Sequence, residues 1–281
     1  IDRWEIDQRN TTSRNTCLLG VDRVLFRVRL SGKQAVELLQ KYSPTGPGWK
    51  VGEMYMVQAY VLNLLAEDFC DGIVISDVVE GREVYGNQMS NAEVYEQALT
   101  LANNGLAATT GSTADDVRVR SALAIVKGRI LTNLNRQSEA AAAVAGVATS
   151  FAYTHYHSQT TMDNAFWTWH INSRRYTVSD KEGTNGLDFF SAKDPRVPAC
   201  LYPDAACKAV GITRADRDDL MQPFNVLLLW PGRGDAVQVM KGVDARMIEA
   251  EAKLKAGDAA GALAILNAAR ATKGMAALTD A

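Results

Sequence analysis

The sequence predicts an all-α protein made of stacked helical hairpins and interrupted by one long irregular insertion. Three observations predict it. Apolar residues recur at three- and four-residue steps through most of 52–147 and again through 245–271. The two hairpins in these stretches share one register. Between them, residues 149–241 show no sustained period, yet they carry three of the five tryptophans and five of the seven prolines. A long irregular segment inside a compact chain is usually functional.

Composition sets the frame. The 281 residues are 47% hydrophobic and 22% charged, so a folded core is expected rather than disorder. Thirty Lys+Arg against 32 Asp+Glu leave a net charge of −2, which supplies no field for gripping a phosphate backbone. Nucleic acid is therefore not an expected partner. No run approaches the roughly 18 consecutive apolar residues that cross a bilayer. The densest, Ala140–Ala148, has Gly146 inside it.

In the first fifty residues, Val21, Val24, Leu25 and Val28 fit a helix, whereas Phe26, Val28 and Leu30 alternating with Arg27 and Arg29 fit a strand. Helix is preferred because Ser31–Tyr42 is helical beyond them. A second helix is expected over Gly52–Phe69, with Tyr55, Ala59, Leu62, Leu65 and Ala66 at helical spacing, and a third over Asn91–Ala108, with Val94, Tyr95, Ala98, Leu99 and Ala102. Thr113 with Asp116 resembles a capping box, and Val119, Leu123, Val126, Ile130, Leu131 and Leu134 follow it on one face. A break at Asn135–Gln137 precedes the small-residue helix Ser138–Val144, which can lie close against its predecessor.

The layout returns near the C-terminus. Ala245–Lys255 offers Met247, Ile248, Ala250 and Leu254 for burial, Gly257-Asp258 makes a turn, and Ala259–Ala271 bears Leu263, Ile265 and Leu266. Gly128 over Ala250, Asn135 over Gly257, Ala140 over Ala262 and Val147 over Ala269 all need one offset of 122 residues. That register is similar to the tetratricopeptide repeat, with a small residue where helices cross, then a turn, then an alanine. Such hairpins cannot bury both faces alone, so an α-solenoid-type stack is expected.

Cys200 and Cys207 stand with six residues between them in a stretch containing Pro198 and Pro203, a spacing that closes a small disulfide loop and favours an exported protein. Cys17 and Cys70 are what remains. No pair has C-x-x-C spacing, and with only His155, His157 and His170 to join them no metal site is expected.

Several segments resemble a known family. Glu67-Asp68-Phe69-Cys70-Asp71-Gly72-Ile73, then Val84-Tyr85-Gly86 leading into Asn91-Ala92-Glu93-Val94-Tyr95, are similar to the SusD/RagB nutrient-uptake lipoproteins. So are Val178–Leu187 running on to Lys193-Asp194-Pro195-Arg196-Val197-Pro198, and Gly242–Ala252. The matches span about 52–272 and keep the family's order, with long irregular segments between hairpins.

The resemblance implies a single SusD-like domain over 1–281. Its parts would be an N-terminal helical segment 1–51, a helical-repeat core 52–148, a loop-rich insertion 149–241 and a second hairpin 242–272. It implies a non-enzymatic protein, exported and exposed on the surface of a Gram-negative outer membrane. Such a protein binds a glycan or another nutrient and works with a SusC-like TonB-dependent transporter. A lipid anchor, outside this chain, would be its only tie to the membrane. Family members also continue beyond their last hairpin, so the chain is expected to be either truncated or a reduced member.

Sugar sites need flat apolar faces and a few placed polar groups. Trp167 and Trp169, with Arg175 and Tyr176 nearby, supply these types, and an extended segment would put both tryptophans on one face with Phe166, Thr168 and His170 on the other. Tyr85 joins them because its loop contributes glycan contacts in some relatives. The competing reading is that the tryptophans pack the insertion; Trp49 and Trp230, beside turn residues, are read as loop pins.

Catalytic motifs are lacking. Asp194-Pro195-Arg196 reads as a turn closed by an ion pair. Glu249 and Glu251 lie on different helix faces and cannot act as a carboxylate pair. No G-x-S-x-G or phosphate-binding glycine loop is present, and binding would need no cofactor. The alternative function is a helical-repeat scaffold that binds other proteins or self-associates into a cell-surface assembly.

Overall fold

The computed structural model of the protein describes residue 12 and residues 15–181, 186–213 and 225–279, with 17–19 described in backbone only. In chain order the elements are α1 (Thr16–Tyr42), α2 (Gly48–Asp68), β1 (Ile73–Val74), β2 (Asp77–Val79), β3 (Arg82–Val84), β4 (Gln88–Met89), α3 (Asn91–Ala108), α4 (Ala114–Asn133), α5 (Gln137–Val144), β5 (Ala152–His155), α6 (Ala165–Trp167), a π-helical turn (Thr168–Asn172), β6 (Ala199–Leu201), α7 (Ala205–Ala209), β7 (Asn225–Leu227), β8 (Val237–Lys241), α8 (Gly242–Lys255) and α9 (Ala259–Ala271). The fold is the all-α, tetratricopeptide-like class expected from the sequence, with short strands only. The described residues form two compact units. One runs to Phe151 and resumes over Gly242–Leu266, and the other comprises Ala152–Lys241 and the residues from Asn267 onward.

In the first unit α1 settles the helix-or-strand ambiguity as one helix of 27 residues. Its apolar residues are less buried than the pattern implies, Val21, Val24 and Leu38 each being 55% exposed. Buried Arg29 pairs with Asp77 and donates to the Ser76 carbonyl, and Lys33 meets Asp77 at 2.5 Å, so α1 grips the β2–β3 hairpin by charge. That hairpin turns through Glu80 and Gly81, both at positive φ, as a two-residue hairpin loop requires.

Helices α2 and α3 approach closely because Gly52 and Gly105 carry no side chain. A Cβ at Gly52 would collide with Thr109 Oγ1, and one at Gly105 would lie 2.6 Å from Leu123 Cδ2. Ser90 with Glu93, and Thr113 with Asp116, form complete capping boxes at the starts of α3 and α4. In α4 the expected face is buried, Val119, Leu123, Val126, Ile130 and Leu131 all being at most 1% exposed. Ala122 and Ile125 are buried too, so this helix is enclosed on more than one side. Each such aliphatic side chain contributes roughly 1.5–3 kcal/mol by leaving water.

The shared register of the two hairpins extends to their backbone. Asn135 and Gly257 both adopt left-handed φ, +58° and +82°. Asn135 N–H donates to Thr132 O and Arg136 N–H to Leu131 O, while Gly257 N–H donates to Leu254 O and Asp258 N–H to Lys253 O. Both ends are therefore Schellman caps with identical bonds. A Cβ at Gly128 would sit 2.5 Å from Val144 Cγ1 and 3.1 Å from Ile248 Cδ1, which explains the small residue at the crossing. Ala140, Ala250 and Ala262 are buried, but Leu254 is 57% and Met247 36% exposed, so two of the four residues expected to be covered on α8 face outward.

The second unit has a different construction. β5 pairs antiparallel with β8 from Ala152↔Lys241 to His155↔Val237, with a bulge at Tyr153/Thr154, and β6 pairs with β7. Cys200 and Cys207 are joined by a disulfide, and both belong to a small buried cluster with Ile171, Ile212 and Val226. Cys70 is an exposed free thiol, and the pairing of Cys17 lies outside the described residues, as do Glu182–Asn185 of the family-like segment.

Candidate functional site

Asn164, wholly buried, organises the segment that carries the candidate tryptophans. Its Oδ1 accepts from the backbone N–H of Phe166 (2.8 Å) and Trp167 (3.2 Å), its Nδ2 donates to the Asp235 carbonyl (2.8 Å), and its own N–H donates to the Arg233 carbonyl (2.9 Å). An Asx cap of this kind starts a helix. The π-helical turn follows, closed by Ser173 N–H on the Thr168 carbonyl. Arg174, at φ +49°, then reverses the chain so that Arg175 N–H reaches the Trp169 carbonyl at 3.0 Å.

This geometry corrects the extended reading. Residues two apart on a helical turn point to different faces, so Trp167 and Trp169 separate. Trp167 is half-buried and packs against the Ile171, Cys200, Cys207, Ile212 and Val226 cluster, with Arg233 Cζ 6.0 Å from its ring. Trp169 is 38% exposed. Phe166 and His170, one helical turn apart, do share a face, their centroids 6.4 Å apart.

A continuous aromatic strip results. Trp230 stacks on Phe166 at 4.2 Å and 19°, His170 lies 6.0 Å from Tyr176, and Tyr176 meets Trp169 edge-on at 6.1 Å. Arg175 Cζ sits 5.9 Å from the Trp169 ring, within cation–π reach. Tyr176 is 58% and Phe166 44% exposed. Burial pushes the His170 imidazole below its ordinary range, so the ring is neutral at pH 7, and its Nδ1 is buried without a partner. Flat faces beside a neutral imidazole and a guanidinium suit a ring-shaped ligand that carries hydroxyls.

Of the residues singled out from sequence, Trp169, Arg175 and Tyr176 come together, and Trp167 turns to the core. Tyr85 belongs to the first unit, just after β3, and donates its hydroxyl to Glu83 (2.9 Å). Sequence reading put Phe166 and His170 on one face, though of an extended segment, and missed Trp230 as their partner. The i, i+4 spacing of Phe166 and His170 behind Asn164 was the available signal; the stacking of Trp230 had none.

Carboxylates of both units are engaged in ion pairs. Asp163 pairs with Arg233 at 2.5 Å, and Glu249 with Arg246 at 3.1 Å. Arg196 forks onto Asp194 as the turn reading expects, and its hydrogen bonds hold that carboxyl down at about 2. Among the described residues no group of three His, Cys, Asp or Glu is placed to hold a metal. The first unit contains a cleft of about 450 Å³ lined by Phe26, Leu65, Phe69, Ile73 and Val74 with Asp22 and Asp71, a less aromatic surface than the strip.

No protein-family model matches the chain, and no curated protein sequence matches it. Solved structures do. A SusD superfamily protein from Bacteroides vulgatus ATCC 8482 superposes with a TM-score of 0.60 at 12% identity, covering 99% of this chain and 71% of that one. A SusD-like protein from Bacteroides fragilis NCTC 9343 gives 0.60 at 12%, over 93% and 69%. A SusD-like carbohydrate binding protein from Bacteroides vulgatus ATCC 8482 gives 0.58 at 13%, covering 93% of this chain and 63% of its own length. At such identity the likeness shows the fold, which is SusD-like. The chain spans less than two thirds of the length of the last of these.

Proposed function

We propose that the protein is a cell-surface glycan-binding protein of the SusD type, which holds an oligosaccharide on the strip Trp230–Phe166–His170–Tyr176–Trp169. The observation that carries this reading is the exposure of Trp169, Tyr176 and Phe166 on a rigidly capped turn, in a fold shared with a structure described as carbohydrate binding. Arg175 supplies the charged contact at the strip's end. Tyr85, exposed on the first unit, is a separate candidate contact.

The family resemblance supports the rest of the reading: a SusC-like TonB-dependent transporter as partner, a lipid anchor at the Gram-negative outer membrane, and delivery rather than turnover of the ligand. The engagement of Asp163, Asp194 and Glu249 in ion pairs also favours binding over hydrolysis. Calorimetric titration with a panel of oligosaccharides tests the site. Trp169→Ala should weaken binding about tenfold, the scale of one lost stacking face. Silence of the wild-type protein across the panel would remove the reading.

A further inference from the structure

Resting on that reading, we infer that the strip selects a sugar bearing a carboxylate, a uronate or sialate unit, through the guanidiniums of the consecutive residues Arg174 and Arg175. Among the described residues neither guanidinium meets a carboxylate, whereas Arg233, beside the Trp167 ring, is held by Asp163. Arg175 is exposed and sits over the Trp169 ring. A guanidinium held over a ring face keeps its N–H donors in its own plane, free to fork a planar anion.

Arg174 is half-buried, and its donors are almost unspent. Nη1 reaches only the Asn172 carbonyl, at 3.5 Å, the outer limit of a hydrogen bond, and Nε is buried with no partner. The residue is also held at φ +49°, a conformation that a side chain larger than asparagine rarely adopts. Strain of this kind persists where the surroundings over-determine it, and it gathers at binding sites. Here it follows a π-helical turn, itself frequent at functional positions.

The charge balance points the same way. With Asp163 and Arg233 cancelling and His170 neutral, Arg175 at the Trp169 ring and Arg174 next to it in sequence leave positive charge that no described carboxylate pairs with, in a chain whose net charge is −2. A pyranose held on the strip beside Trp169 would present a ring carboxylate to the Arg175 fork. A neutral hexose in the same pose would offer only a hydroxyl.

The test is titration calorimetry at about 0.15 M salt, so that diffuse attraction is screened. The probes are oligogalacturonate, oligoguluronate, hyaluronan oligosaccharides and sialyllactose, each paired with its carboxyl-reduced neutral counterpart. At least one acidic probe should bind, with its neutral counterpart roughly tenfold to a hundredfold weaker, as for a hydrogen bond to a charged group. Arg175→Gln should shrink that gap to about twofold, and Arg175→Lys should restore only part of it because the fork is lost. Trp169→Ala should weaken both members of a pair by the same factor. If acidic and neutral members bind alike, or only neutral ones bind, and Trp169→Ala still weakens them, the carboxylate selection is wrong and the glycan surface stands. If no sugar binds the wild type, both fail.

Discussion

The two units stay folded by different means. The first buries long helices through Met56, Leu62, Leu65, Leu123, Ile125, Ile130 and Leu131, all nearly inaccessible to water. Among the described residues the second has a smaller buried cluster of Ile171, Cys200, Cys207, Ile212 and Val226, with Met240 buried in β8, and adds a covalent tie and short strand pairs. A periodic core needs no staple, whereas a segment selected for surface side chains leaves too little apolar area and takes its order from a disulfide, a buried Asn164 and stacked rings. Exposing Phe166, Trp169 and Tyr176 has a stability cost, and it falls on the unit with the smaller core.

Substitutions at three places sharpen or break that contrast. The largest effect is expected from Leu123→Ala in α4, which should cost about 3–5 kcal/mol in urea unfolding followed by helical circular dichroism. A loss below about 1 kcal/mol would mean the helical core collapses to fill the gap, contrary to its close packing. Next comes the Cys200→Ser/Cys207→Ser pair. Removing a loop closure of this length should cost roughly 2–3 kcal/mol. Tryptophan fluorescence, dominated by the second unit, should lose its transition before the helical signal does; coincident transitions would erase the distinction between the units.

The smallest effect is at the matched turns. Gly257→Ala places a Cβ at φ +82° and should lower stability by about 1 kcal/mol in thermal unfolding. Asn135→Ala should cost less, and Gly257→Asn only a few tenths of a kcal/mol, because asparagine tolerates the left-handed region. Equal costs for Gly257→Ala and Gly257→Asn would show that the two caps are not equivalent.

Legibility followed the same divide. The helices at 91–108 and 114–133 and the caps at Asn135 and Gly257 were readable because they depend on neighbours within a few positions. Leu254 and Met247 misled because an apolar residue at helical spacing announces a face without saying whether anything covers it. In the insertion, Trp167 and Trp169 were misread as extended. Their helical turn depends on Asn164 bonding Arg233 and Asp235, about seventy positions away. The pairing of β5 with β8, and the stacking of Trp230 on Phe166, span similar distances and leave no local periodicity to read.

The β5–β8 pair has an evolutionary consequence. The chain departs at Ala152 and returns at Lys241 as strand partners, so the ends of the excursion are pinned about 5 Å apart whatever lies between them. For a polymer with fixed ends, doubling the contour length adds only about 0.6 kcal/mol of closure entropy. Residues 156–236 are therefore cheap to rewrite, lengthen or graft without renegotiating a single helix crossing.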